Sequence, residues 1–182
     1  MFNKLFASQK HLKAFPIKDS KSWLLPVVLL FFLASLAGCG SNSRLSGKSY
    51  VINGKRYHIL ATAAGYREKG LASWYGEPFH GRKTASGEVY DMHDMSAAHK
   101  TLPLHTWVEV KNLKTNQKMI LRINDRGPFI DGRIIDLSRA AARELGVYRP
   151  GTAPVLVTAL SPAQAKRFSE KLYRDKKRAS ND

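Results

Sequence analysis

Residues 70–160 predict a mainly β fold, a small closed barrel of six strands with short helices, followed by a basic C-terminal helix. Three observations carry this. Short β-prone runs recur through about 90 residues with apolar and polar side chains alternating, the period of a half-buried strand. Gly, Pro and Asn separate them at nearly every joint. Two brief segments at helical spacing are all that interrupts them, too little helix to cover a layered α/β sheet.

The elements follow in order. Tyr50-Val51-Ile52 and Lys55–Leu60 flank Asn53-Gly54, the strongest short hairpin signal, so residues 50–69 form a hairpin extension. Two strands alone are marginal, which requires the hairpin to lie against the main body. Strands are expected at Gly70–Tyr75, Val89–Tyr90, Thr106–Asn112, Lys118–Asn124, Ile134–Asp136 and Pro154–Ala159, with Asn116-Gln117 turning the chain between the third and fourth. One short helix is expected over Asp94–Ala98. A second runs Arg139–Leu145 with Ser138 as N-cap and Gly146 as stop, and Ala140, Ala141 and Leu145 face the barrel. Residues 161–182 open with Ser161-Pro162-Ala163-Gln164, an N-cap, Pro at the first helical position and a capping-box Gln. Ala165, Phe168 and Leu172 give that helix a thin apolar stripe for packing on the barrel.

The start of the chain sets the compartment. Residues 1–38 read as an export signal: five Lys and one Asp, then a 15-residue apolar run from Trp23 to Ala37. That is short of the roughly 20 residues a membrane span needs. The run ends in Leu36-Ala37-Gly38-Cys39, like a bacterial lipobox, and Cys39 is the single cysteine. Lipidation of Cys39 would remove a free thiol from an oxidising compartment. Residues 39–49 are then a lipidated Cys and a small, polar, flexible tether. Gly40 offers nothing resembling an inner-membrane retention signal, so an outer-membrane lipoprotein facing the periplasm is expected.

The whole chain carries +16, and +12 remains beyond residue 38. Such a charge seeks anionic polymers or surfaces. Export makes nucleic acid a poor partner and leaves phospholipid, lipopolysaccharide and peptidoglycan.

Chemistry can sit in three places. Trp74 and Tyr75, at the end of the first barrel strand, offer aromatic faces for sugar rings, with one of the pair expected in the core. Arg82 and Lys83, in the Gly-rich loop that ends at Glu88, suit acidic sugar substituents or simply solvate the loop. Asp125 stands at the end of an apolar-polar run and is followed at once by Arg126-Gly127-Pro128, so a sharp turn fixes its carboxylate at the barrel rim. Glu88 and Asp125 form the candidate acid–base pair; His99 can orient a carboxylate, though taken by itself it reads as a structural hydrogen-bonding residue. Asp91, Asp94, Asp131 and Asp136 are rival carboxylates, of which Asp136 reads as structural, bonding the helix start. His93, His99 and His105 recur every six residues, which fits neither a helix face nor a zinc spacing, so no metal and no cofactor are expected.

Five motifs in sequence order now join these blocks: Gly70–Gly76, Thr84–Glu88, Ala97–Pro103, Asn124–Phe129 and Arg133–Ser138. Together they resemble the rare lipoprotein A family. The resemblance implies a double-psi β-barrel that acts as a lytic transglycosylase, breaking the MurNAc-β-1,4-GlcNAc bond of peptidoglycan without water and leaving a 1,6-anhydro end. It assigns Asp125 as acid/base, Glu88 as its electrostatic or positioning partner and His99 as an assistant. Trp74, Tyr75, Arg82, Lys83 and Arg126 are the expected substrate-binding side chains. Glycan strands stripped of stem peptides, which expose lactyl carboxylates, suit the basic charge. Residues 161–182 leave no room for the C-terminal SPOR domain of many relatives, so none is expected. The competing readings are an expansin-like module that binds peptidoglycan without cutting it, and a lipoprotein that only tethers membrane to wall.

Overall fold

The computed structural model describes residues 45–180; the expected export segment, Cys39 and the first part of the expected tether lie outside them. β1 (Leu45–Ile52) and β2 (Lys55–Leu60) form the hairpin, turning through Asn53 and Gly54, both at positive φ (49° and 75°). Two consecutive left-handed residues make the turn whose twist matches the paired strands. β1 starts at Leu45 rather than Tyr50, taking in residues expected to be tether. Gly47, at φ 76°, accompanies a shift of register between Leu45 and Ser49, and beyond it Leu45 still pairs with Leu60.

Six further strands close the barrel: β3 (Arg67–Tyr75), β4 (Ser96–His99), β5 (Trp107–Asn112), β6 (Lys118–Asp125), β7 (Arg133–Ser138) and β8 (Ala153–Ala159). Their order around the barrel is β3-β7-β4-β6-β5-β8, and β8 returns to β3. β3 with β7 and β4 with β6 run parallel; the other neighbours are antiparallel. Alternation sets the core as expected: Val108 and Val110, Leu121 and Ile123, Ile135 and Leu137, Val155 and Val157 are all fully buried. Each such side chain contributes about 1.5–3 kcal/mol of burial free energy.

Two expectations are corrected. Val89–Tyr90 is no strand; Val89 makes one isolated bridge to Lys83. Asp94–Ala98 is no helix; Ser96–His99 is β4, buried along its whole length. A strand buried on both faces shows no alternation, and two Ala give no β-propensity to read, so tertiary pairing overrides the local preference.

α1 (Arg139–Glu144) is capped by Ser138, whose hydroxyl accepts from Ala141 N, and ends at Gly146, φ 73°. Its buried face is Ala141, Ala142 and Leu145, with Ala140 only half-buried. α2 (Pro162–Ala179) begins with the full capping box of Ser161 and Gln164. It meets the barrel through Phe168, edge-on to Trp107 at 5.1 Å, while Leu172 is exposed. No helix among the described residues is long and apolar enough to cross a membrane.

One buried amide ties β5 to α1. Asn112 Nδ2 donates to Leu145 O at 2.9 Å, and its Oδ1 accepts from Lys114 N at 2.9 Å. Asn112→Ala therefore strands a buried helix-end carbonyl and a turn N–H, and is expected to lower unfolding free energy by about 2 kcal/mol or more in chemical denaturation.

Candidate active site

The register of β4 decides which side chains can meet. Ala98 pairs with Asp125 on β6 and, on its other side, with Asp136 on β7. Residues directly opposite across neighbouring strands share a sheet face, so both carboxyls flank the small Ala98 side chain. Their backbones lie roughly 10 Å apart, two strand spacings. Gly127, at φ 141°, brings the chain over this floor: a Cβ there would stand 3.7 Å from Ala98 Cβ and 3.9 Å from Asp136 Oδ2. Asp125, Ala98 and Asp136 all line one cleft of about 780 Å³.

The two carboxyls sit in different surroundings. Asp125 Oδ1 accepts from Ala85 N and Arg126 N, both at 2.8 Å, and among the described residues no donor bonds its other oxygen. Asp136 is 13% exposed, accepts from the Ser73 hydroxyl on β3, and has Arg133 Nη2 at 3.2 Å. Burial pushes the Asp136 carboxyl above the usual range, against the opposing pull of Ser73 and Arg133. Asp136 does not bond the helix start; Ser138 alone caps α1. An Ile-Ile-Asp-Leu-Ser run next to a helix suggests a cap, and only the β4 pairing reveals the cleft.

Glu88 does not line the cleft. Arg122 grips it with two bonds of 2.6 and 2.8 Å, and Asn124 Nδ2 adds a third at 3.1 Å. Arg122 first, and Asn124 with it, hold the Glu88 carboxyl below its ordinary value. Its link to Asp125 runs through the backbone. Thr84 N donates to Glu88 O, Ser86 N to Asn124 O, and Ala85 N to Asp125 itself.

His99 also stays out of the cleft. It is 3% exposed, and its Nδ1 accepts from Thr101 N and Leu102 N. The proton must then be on Nε2, which donates to Tyr66 Oη at 2.8 Å; the Tyr66 hydroxyl in turn donates a hydrogen bond to Glu68. Burial, with Arg126 and Lys100 nearby, brings the imidazole down to about 3. The ring is a neutral pin for the turn at 100–102. The carbonyls of His99 and Leu102 in turn receive the Arg126 guanidinium, which also lies 5.9 Å over the Tyr50 ring.

Of the other expected contacts, Trp74 and Tyr75 both line the cleft, Trp74 tilted on Tyr148 at 4.7 Å and Tyr75 stacked on Tyr90 at 4.2 Å. Arg126 lines it with its guanidinium committed to carbonyls. Arg82 and Lys83 lie outside on an exposed loop, Arg82 6.0 Å over Phe79. Cys39 falls outside the described residues. Sequence reasoning missed Phe79, Phe129 and Ile130, the exposed apolar rim of the cleft. The signal was available, since Phe129-Ile130 in a turn after Gly-Pro has no core to enter. The hairpin backs this rim: Tyr57 lies 5.5 Å from Phe129, and Tyr50 Oη donates to Lys100 O. His93, His99 and His105 have separate neighbours, and no group of three His, Cys, Asp or Glu could hold a metal among the described residues.

A carboxyl pair across β4, an aromatic wall and an apolar rim thus line one cleft. A family model described as lytic transglycolase matches residues 67–157, from the start of β3 into β8. The chain belongs to this family of double-psi barrels. It is 51% identical over 114 residues to the endolytic peptidoglycan transglycosylase RlpA of Vibrio cholerae, 63% of this chain and 43% of that protein. The protein of that name from Pseudomonas aeruginosa is 50% identical over 123 residues, 68% of this chain and 36% of that protein. The match thus spans less than half the length of either relative. Among solved structures, an expansin of Clavibacter michiganensis aligns with TM-score 0.43 at 19% identity, over 53% of this chain and 52% of that one.

The low value for His99 has a measurable consequence. The unfolded chain takes up a proton near 6.5 that the folded ring refuses until about 3. The His99 contribution is therefore complete above pH 6.5 and is lost as pH falls toward 3. Unfolding free energy is expected to drop across that window with a one-proton component that His99→Gln lacks. The ¹⁵N shifts of the His99 ring should stay those of the neutral Nε2–H form from pH 5 to 8.

Proposed function

We propose that this protein is a lytic transglycosylase that cleaves the MurNAc-β-1,4-GlcNAc bond of peptidoglycan and leaves 1,6-anhydroMurNAc ends. The observation that carries the reading is the pairing of Asp125 and Asp136 with the same residue, Ala98, on the floor of one cleft. Acid–base chemistry needs one carboxyl that gives a proton and one that takes it, and unequal surroundings divide the work. Asp136, whose burial favours the protonated form, gives its proton to the bridging O4 as the C1–O4 bond breaks. Asp125, anchored through Oδ1 and open at its other oxygen, takes the proton of the muramic C6 hydroxyl as O6 closes on C1. One bond is broken, one is made, and no water enters. Solvent exchange returns the proton from Asp125 to Asp136.

Glu88 and His99 serve in this reading as positioning residues. Glu88, clamped by Arg122, holds the loop whose Ala85 N–H fixes Asp125; His99 and Arg126 brace the turn behind β4. Trp74, Tyr75, Phe79 and Phe129 offer faces and edges to sugar rings. Lipidation at Cys39 would set the barrel on the periplasmic side of the outer membrane, within tether reach of the wall. The surplus of positive charge supports a preference for strands freed of stem peptides.

The test is digestion of peptidoglycan sacculi, with and without prior amidase treatment, by the full chain in detergent. Mass spectrometry is expected to find 1,6-anhydro ends. Asp125→Asn and Asp136→Asn should each reduce their yield by at least about 100-fold, the scale of general acid–base catalysis. Reducing ends instead would mean hydrolysis, and binding without any cleavage would mean an expansin-like module. Glu88→Gln should slow the reaction about tenfold while leaving the shape of its pH profile intact, because Glu88 positions Asp125 rather than exchanging protons. A profile shifted by that substitution would return Glu88 to the proton path.

A further inference from the structure

Beside the cleft lies a second hollow of about 430 Å³ lined by Arg143, Gly146, Tyr148 and Arg149. Tyr148 lines both, and its contact with Trp74 makes the wall between them continuous. Arg143 holds its guanidinium 4.8 Å over the Tyr148 ring, and Arg139 stands 5.9 Å over it. Arg139 is engaged with Glu77 at 3.2 Å. Arg143 and Arg149 are exposed and have no carboxylate within ion-pair distance among the described residues. An arginine held over an aromatic ring keeps its in-plane N–H edge for a planar bidentate anion. Hydrogen bonding from Arg143 and then Arg139, with their charge behind it, also holds the Tyr148 phenol below its ordinary value.

We propose that Arg143, Tyr148 and Arg149 form a carboxylate subsite that binds an acidic substituent of a glycan strand whose sugars continue out of the cleft past Trp74. It rests on the reading of the cleft as a glycan site, and adds to it the group that fixes the strand's register. Two sources carry the same chemistry, the lactyl carboxylate of a peptide-free muramic residue and the carboxylates of a stem peptide.

Equilibrium binding separates this from cleavage. Full-length protein carrying Asp125→Asn, so that no strand is cut, is titrated with peptide-free glycan strands, peptide-bearing strands and neutral N-acetylglucosamine oligomers. Arg143→Gln with Arg149→Gln is expected to weaken binding of the acidic strands about tenfold, to flatten its salt dependence, and to leave the neutral oligomers unaffected. The set that loses more, peptide-free or peptide-bearing, identifies the carboxylate. Equal loss for neutral and acidic ligands, or no loss for either acidic set, overturns the subsite. Circular dichroism of the double variant checks its fold. If the acidic strands bind and respond as expected while the parent protein yields no anhydro ends, the transglycosylase reading fails and the subsite stands.

Discussion

Everything in the cleft depends on β4 being pinned on both edges. Four residues long and wholly buried, it runs parallel to β6 and antiparallel to β7. A strand held on two sides cannot slip, because a one-residue shift would turn every side chain to the opposite face. Ala98 is therefore fixed as the residue between Asp125 and Asp136. Its side chain is one methyl group, so the space between the carboxyls stays open. A larger residue would fill the floor, and a residue on the other face would send one carboxyl into the barrel.

Burial of one face or of both decides what could and could not be read from sequence. Strands with one wet face declare themselves: Val108 and Val110, Leu121 and Ile123, and Val155 and Val157 alternate with polar or half-buried neighbours, and the barrel followed from them. The turn at Asn53-Gly54, the stop at Gly146 and the capping box at Ser161 were legible because each depends on a few adjacent side chains. β4 was not. Ser96-Ala97-Ala98-His99 has no alternation and a composition suited to a helix, and its conformation comes entirely from partners more than 20 residues away. Val89 was misread for the converse reason, being β-prone yet joined to Lys83 by a single bridge.

The site was half legible for a related reason. Asp125 could be singled out because a strand end followed by Gly-Pro fixes a side chain without reference to anything distant. The turn does more than that, since the Arg126 N–H on Asp125 is local while the Ala85 N–H comes from 40 residues earlier. Asp136 lies beside an evident helix start, and its local setting suggests a cap that Ser138 supplies instead. Whether a carboxylate faces a partner or a cleft is a property of register between strands, and register is set by neighbours that no short motif contains.

Charge raises a separate difficulty that the structure resolves. A chain with a surplus of +12 beyond residue 38 would, in the proposed reaction, have no proton to deliver if its arginines crowded the carboxyl pair and stabilised both anions. The basic groups nearest the floor are instead committed elsewhere. Arg126 donates to two backbone carbonyls, Arg122 is taken up by Glu88, and Arg139 faces Glu77. Among the described residues only Arg133 forms an ion pair with either carboxyl, and burial of Asp136 outweighs it together with the more distant Lys100. Two exposed arginines, Arg143 and Arg149, lie past Trp74 and Tyr148 on the flank. On the proposed reading, positive charge attracts and aligns an acidic strand along the cleft wall while burial keeps Asp136 on the floor biased toward its protonated form.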